Sequence, residues 1–279
     1  MMTQIHTAAV RPNGDVRPKL MILDLWWPDG IKSKITTAEP GPTERLASVA
    51  MVTTDRMLVD AIRTRLSAEA DPVRAPQTQA YMKSEMPYLG VPLPRVRAIV
   101  RAEAAERPPV TVAGLTATAR ALWRPAGYRE ERYAATELTG LSSVRRLQTL
   151  ALVPLYQEMI TTGAWWDHVD EVAHRIGVLL RAFPTEMRPT ILAWSRDPDR
   201  WLRRTSIICQ LDAKDQTDRT LLSTTILANA GDPDFFLRKA IGWALRQYAR
   251  VDPEWVRRFV ADHELSPLSR REATKHLGG

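Results

Sequence analysis

The sequence predicts an all-α protein built as an α-solenoid, in which paired helices stack into a superhelix with a concave basic face. Three observations predict this class. Apolar residues recur with a helical period from residue 54 onward, proline and Asp-Pro pairs separate those periods, and one eight-residue pattern returns after 35 residues. No stretch alternates apolar and polar residues between turn signals, as the strands of a sheet would.

The helices follow from this period in chain order. Thr54 is a suitable cap for a first helix whose apolar positions include Met57, Leu58, Ile62 and Leu66. Further periods cover residues 96–105, 112–123, 131–141, 153–160, 169–183, 189–195, 202–211, 221–230, 235–249 and 255–261.

An internal repeat sets the architecture. The residues DPDRWLRR at 197–204 match DPDFFLRK at 232–239, so Arg204 aligns with Lys239. One further step back places aromatic residues at 166, 201 and 236. Two helices per step of roughly 35–45 residues are typical of a HEAT-like α-solenoid.

Residues 1–53 differ from the rest of the chain. They contain five prolines and three glycines, and no helical or strand period persists there. We expect a disordered extension before a single repeat domain at 54–279. An alternative is that translation starts at Met51, immediately before the first periodic segment.

Composition restricts the possible classes of partner and site. The 39 basic residues exceed the 32 acidic ones by seven, and only seven of the 39 are lysine. Arginine matches the geometry of phosphate, so this balance favours nucleic acid, with an anionic membrane as the weaker option. A single cysteine, Cys209, excludes an internal disulfide and a cysteine-based metal site, and it fits a reducing cytoplasm. Cys209 lies in an apolar run and is expected to be inert core.

The first candidate chemical group is Trp166 with Asp170, which lie four residues apart and therefore on one helix face. The alternative is purely structural: Trp166 would be core, and Asp167 or Asp170 would serve the helix N-terminus. No spacing of His168 and His174 suits a metal, and no phosphate-binding glycine loop or hydrolase motif occurs.

Two cationic clusters follow along the chain. Lys239, Trp243 and Arg246 share one helix face, and Gly242 between them predicts the close approach of another backbone. Arg203 and Arg204 form the second cluster. The structural alternative for the first cluster is a packed Trp243 with the two cations extending past it to solvent. The structural alternative for Arg203 and Arg204 is a solvated helix face.

Several motifs in the same order as in a known family follow these clusters. Residues 54–278 resemble the AlkD-like DNA alkylation-repair glycosylases, which have a HEAT-like repeat fold. The motifs that carry this resemblance are YMK at 81–83, YLG at 88–90, TGAWWDHVD at 162–170, WLRR at 201–204, KAIGWALRQYA at 239–249 and LSPLSRREA at 265–273.

The resemblance implies an activity. It assigns the catalytic carboxylate to Asp170, the two tryptophans that flank the lesion's deoxyribose to Trp166 and Trp243, and DNA contacts to Arg204 and Arg246. Lys239 and Arg203 are expected to hold further phosphates. The family excises cationic alkylpurines, mainly 3-methyladenine and 7-methylguanine, from duplex DNA without flipping the base.

The expected enzyme is a cytoplasmic, nucleoid-associated monomer without metal, cofactor, membrane contact or obligate protein partner. Three alternatives stay open. A non-catalytic paralogue would bind damaged or branched DNA, a protein-interaction scaffold would show a face of mixed charge, and a lyase would use Lys239 as its amine.

Overall fold

A computed structural model describes residues 54–277, and this part of the chain is all-α. Residues 1–53, with Met51, lie outside the described residues. The described part contains thirteen α-helices: α1 (Arg56–Ala68), α2 (Arg74–Met82), α3 (Leu93–Glu106), α4 (Val112–Trp123), α5 (Arg129–Gly140), α6 (Val153–Gly163), α7 (Trp166–Ala182), α8 (Pro184–Trp194), α9 (Arg200–Ile208), α10 (Arg219–Leu227), α11 (Phe235–Tyr248), α12 (Pro253–Asp262) and α13 (Pro267–Thr274). Short 3₁₀ segments lie at Ser142–Leu147, Leu150–Leu152 and Lys214–Gln216.

The helices form two layers, as the repeat predicts. Helices α3, α5, α7, α9, α11 and α13 each contact the next, and we call them the inner layer. Helices α1, α4, α6, α8, α10 and α12 back them as the outer layer. Apart from α2 and α13, each helix buries an apolar stripe between the layers, and the predicted α-solenoid is confirmed.

The repeated Asp-Pro-Asp sequences are N-terminal caps. Asp199 accepts hydrogen bonds from the first backbone N–H groups of α9, and Asp234 does the same for α11. Since Arg200 and Phe235 therefore begin equivalent helices, Arg204 and Lys239 are both fifth residues, as the repeat predicts. The first helix is capped by Asp55 rather than by Thr54.

The aromatic repeat is displaced by one residue at its first step. Trp166 begins α7, whereas Trp201 and Phe236 are the second residues of α9 and α11. Trp165, not Trp166, joins their packing, with ring centroids 6.1 Å from Trp201 and 5.4 Å from Phe236. This shift leaves Trp166 37% exposed at the surface.

Two helices were not predicted. Helix α2 buries only Met82, and α13 buries only Ser269 and Ala273, so neither has the apolar stripe from which a helix is recognised.

Gly242 lies where α11 meets α13, which confirms the predicted close approach. A Cβ atom at this position would lie 2.4 Å from Glu272 Cβ and 2.9 Å from the carbonyl oxygen of Ser269. Neither atom is the free end of a flexible side chain, so only glycine permits this spacing.

We expect Gly242→Ala to lower the free energy of unfolding by about 1–2 kcal/mol, because overpacking of about 1–3 kcal/mol outweighs a gain in helix propensity of about 1 kcal/mol. Urea unfolding measures the change. Gly231→Ala is the matched control, since nothing lies within 4 Å of its added Cβ. Equal effects of the two substitutions would contradict this account of the packing.

Candidate active site

The centre of the site is an ion pair between two successive inner-layer helices. Asp170, the fifth residue of α7, faces Arg204, the fifth residue of α9. Arg204 Nε donates to Asp170 Oδ1 and Nη2 donates to Oδ2, both at 2.7 Å, which makes the pair bidentate. Arg204 Nη1 also donates to the carbonyl oxygen of Phe236 at 2.6 Å. One guanidinium therefore joins α7, α9 and α11.

Asp170 is largely but not completely removed from solvent. Its side chain is 16% exposed, while that of Arg204 is 6% exposed. Burial raises the pKa of the Asp170 carboxyl above its usual value, and the hydrogen bonds and charge of Arg204 oppose that rise. His174 also lowers this pKa and Asp167 raises it. The residual exposure opens toward a cleft.

The cleft toward which Asp170 opens has aromatic walls. It is lined by residues of α2, α3, α5 and α7 and by Trp243 of α11, and Asp170 lies among them. The aromatic residues in the lining are Tyr81, Tyr88, Tyr133, Trp166 and Trp243. The structure therefore brings Trp166, Asp170 and Trp243 together, and the exposure of Trp166 removes the interpretation that it is core.

A second largely buried carboxylate, Asp167, lies three residues before Asp170 in α7. Arg129 donates to it from Nη2 at 2.6 Å and from Nε at 3.1 Å, and the Tyr133 hydroxyl donates at 2.5 Å. The hydroxyl groups of Tyr133 and Tyr88 are 2.9 Å apart. Burial acts to raise the pKa of Asp167, but the adjacent His168 and Arg129 outweigh it and lower the pKa.

This network also fixes the loop that forms one wall of the cleft. The buried Glu130 carboxylate accepts hydrogen bonds from the backbone N–H groups of Leu89, Gly90 and Val91 at 2.9–3.2 Å. Sequence reasoning missed Arg129 and Glu130 and the contacts that they make with Asp167 and with the segment at 89–91. Their partners lie about 40 residues away, and no local spacing signals such contacts.

The four cations expected to bind DNA all have intramolecular partners. Arg203 Nη2 lies 3.1 Å from Asp232 Oδ2, and Arg204 holds Asp170. Lys239 and Arg246 share the Glu272 carboxylate, at 3.0 Å and 2.5 Å. Since two cations share one acid, this last cluster keeps a net positive charge. Their roles as DNA contacts stay predictions.

The remaining candidate groups are structural. His168 is buried against Trp123 and Tyr133, with ring centroids 5.0 Å from each, and burial lowers its pKa to about 3. Cys209 is buried, as predicted, and burial raises its thiol pKa to about 12. Within residues 54–277, no three histidine, cysteine, aspartate or glutamate side chains are grouped so that they could hold a metal ion.

We expect Asp167→Ala to lower the free energy of unfolding by about 3–5 kcal/mol, because it leaves the buried Arg129 guanidinium without its counter-charge. Thermal or urea unfolding measures this. Asp212→Ala is the control: it removes the exposed partner of His174 and should cost at most about 1 kcal/mol. A loss no larger than the control's would show that the network does not hold the site.

Comparison with known proteins identifies the family of this chain. The family model described as DNA alkylation repair enzyme matches residues 62–277. A solved structure described as a "Predicted DNA alkylation repair enzyme from Enterococcus faecalis" is 31% identical, covers 75% of this chain and 97% of its own, and superposes with a TM-score of 0.69. No curated protein matches the chain. No helix in the described part of the chain has the length and apolar character needed to span a membrane. The match over residues 62–277 spans most of the chain, which therefore belongs to the DNA alkylation repair enzyme family.

Proposed function

We propose that this repair enzyme is a monofunctional DNA N-glycosylase that excises cationic alkylpurines, 3-methyladenine and 7-methylguanine, from duplex DNA. The observation that carries the proposal is the position of Asp170. Its carboxylate is fixed by a bidentate arginine and faces a cleft that also contains the indoles of Trp166 and Trp243. A fixed anion between aromatic faces suits a reaction centre that becomes positively charged.

The chemistry follows from the charge of the lesion. A purine alkylated at N3 or N7 is already cationic, so it leaves as a neutral base when the N-glycosidic bond breaks and the bonding electrons go to the base. Positive charge then develops on the deoxyribose. Ionised Asp170 stabilises this oxocarbenium-like state, orients a water toward the sugar carbon and accepts the proton that the water loses.

The two tryptophans contribute through their faces and their bulk. Indole faces attract a cationic centre, and the attraction strengthens where water is excluded. Trp166 begins α7 one turn before Asp170, so its exposed indole lies on the same side of the helix. Trp243 reaches the same cleft from α11.

Arg204 acts mainly through Asp170. Three of its five N–H groups are used by Asp170 and by the carbonyl oxygen of Phe236, which leaves two for a phosphate of the damaged strand. Lys239 and Arg246 can exchange part of their interaction with Glu272 for phosphate, because one carboxylate does not neutralise both. We propose that the enzyme recognises the lesion through its contacts with the deoxyribose and the phosphate backbone, without flipping the base.

No step in this scheme uses a metal or an organic cofactor, and one chain supplies every group. We therefore propose that the enzyme acts as a monomer without an obligate protein partner. A cytoplasmic, nucleoid-associated location follows from the same proposal, since the substrate is genomic duplex DNA.

We expect Asp170→Asn to lower single-turnover release of 7-methylguanine from a duplex oligonucleotide by at least about 100-fold, because the amide cannot stabilise the developing positive charge. Binding of the same duplex should persist. Asp212→Asn is the control: the Asp212 side chain is exposed and pairs with half-buried His174, and its loss should leave release unchanged.

Melting temperatures should accompany both variants, since Asp170→Asn weakens the pairing of a buried arginine. Equal release by Asp170→Asn and wild type would refute the assigned role. Absence of release by wild type, with duplex binding intact, would instead favour a non-catalytic DNA-binding relative.

A further inference from the structure

The motif LSPLSRREA at 265–273 contains most of α13, and the proposed chemistry gives this motif no role. The buried Ser269 hydroxyl donates to the carbonyl oxygen of Arg238 in α11 at 2.9 Å. The carbonyl oxygen of Ser269 and the Cβ atom of Glu272 both lie against Gly242, where only glycine fits. The motif therefore holds α13 closely on one face of α11.

Glu272 places a carboxylate between two of the cations that are expected to bind DNA. It is the only acidic residue of α13. Its Oε1 lies 3.0 Å from Lys239 Nζ, and its Oε2 accepts a hydrogen bond from Arg246 Nη1 at 2.5 Å. Lys239, Gly242 and Arg246 lie three and four residues apart, so they share the helix face toward α13. The missing side chain of Gly242 makes room for Glu272 between the two cations.

The carboxylate of Glu272 carries its charge in this position. The hydrogen bonds from Lys239 and then from Arg246 lower the pKa of Glu272, and burial opposes this only in part. Within residues 54–277, no other carboxylate lies within salt-bridge distance of either cation. The two cations and one anion together carry one net positive charge, whereas the cations alone would carry two.

The equivalent cation of the preceding repeat shows that this contact is loose. Lys239 aligns with Arg204, and each has a carboxylate partner on a neighbouring inner-layer helix. Arg204 is 6% exposed and makes two hydrogen bonds to Asp170, whereas Lys239 is 40% exposed and makes one contact with Glu272. Exposed ion pairs are weak, and lysine has a flexible stem. The pair with Asp170 is therefore fixed, and the pair with Glu272 can be exchanged for another anion.

The two cations keep N–H groups that can bind phosphate. Lysine has three such groups and arginine has five, and Glu272 uses one of each. Trp243, which we propose contacts the sugar, lies between Lys239 and Arg246 along α11 and lines the cleft. A phosphate of DNA bound at this cleft therefore meets a carboxylate that already holds the same two cations. The two anions repel each other and compete for the cations.

We propose that Glu272 is an intramolecular competitor of phosphate that limits the affinity of the enzyme for duplex DNA. This inference rests on the proposed duplex substrate and concerns the regulation of the same site. Glu272 holds Lys239 and Arg246 while DNA is absent, and a bound phosphate displaces part of this interaction. Undamaged DNA and product DNA are then released readily, which matters because undamaged sites far outnumber lesions in a genome.

The test compares two variants of Glu272 with a control that loses the same charge elsewhere. Glu272→Gln preserves the shape of the side chain, and Glu272→Ala keeps the Cβ atom that packs on Gly242. The control is Glu254→Gln, which removes an exposed carboxylate of the outer-layer helix α12 that is paired with Arg257. Melting temperatures show which variants fold. The probe is an undamaged duplex oligonucleotide.

We expect both Glu272 variants to bind this duplex on the order of 10-fold more tightly than Glu254→Gln at about 0.1 M salt. The salt slope should be steeper by about 0.9, which is the contribution of one phosphate contact. Equal affinities of the Glu272 variants and the control would overturn the proposal. Weaker binding by folded Glu272 variants would also overturn it, since Glu272 would then position the cations for phosphate.

Lys239→Gln tests the competition from the opposite direction. It leaves Glu272 to neutralise Arg246 alone, so duplex binding should weaken on the order of 10-fold. Adding Glu272→Gln to Lys239→Gln should restore an affinity close to that of wild type, whereas adding Glu254→Gln should not. A double variant of Lys239 and Glu272 that binds no better than Lys239→Gln would contradict the competition.

These measurements use undamaged DNA, so they do not depend on base excision. If wild type releases no alkylpurine but the Glu272 variants bind duplex more tightly, the glycosylase proposal fails and the role of Glu272 stands. If release is normal and the Glu272 variants bind duplex like the control, the role of Glu272 fails and the glycosylase proposal stands.

Discussion

The site depends on one interaction, the bidentate pair of Asp170 and Arg204. A buried carboxylate without a partner would take up a proton and lose the charge that the proposed chemistry needs. Arg204 opposes this and fixes both oxygens at 2.7 Å, while its third hydrogen bond reaches the first turn of α11. The same guanidinium therefore sets the charge of the carboxylate, its orientation and the spacing of three helices.

The neighbouring carboxylates in the described part of the chain have partners of their own. Asp167, one turn away, is enclosed by Arg129 and Tyr133. Glu130 is held by three backbone N–H groups. These buried contacts add little stability compared with an apolar core, but they fix the first turn of α7 and the loop at 89–91 against each other. A rigid cleft of this kind is what sugar recognition without a flipped base would need.

Much of this could be predicted from the sequence. Periodicity and the Asp-Pro-Asp repeat predicted the solenoid and the equivalence of Arg204 and Lys239, because caps and apolar stripes are local signals. Helix spacing also placed Trp166 and Asp170 on one face. The pairing of Asp170 with Arg204 was missed, since it depends on which helices pack together. Asp170 and Arg204 are the fifth residues of two successive inner-layer helices, which could have signalled the pairing. The alignment of the aromatic residues at 166, 201 and 236 concealed this equivalence, because it displaced the two helices by one residue.

The central claim is that Asp170 must be ionised to break the bond, and the pH dependence of base release tests it most directly. The measurement is single-turnover release of 7-methylguanine from a duplex oligonucleotide by wild type between pH 4 and 8, with EDTA present and spontaneous loss subtracted. Because burial raises the pKa of Asp170, with Arg204, His174 and Asp167 as the other charged or titratable groups acting on it, release should increase with pH through a midpoint above the usual value for aspartate. A rate that is independent of pH, or that falls as the pH rises, would contradict the account.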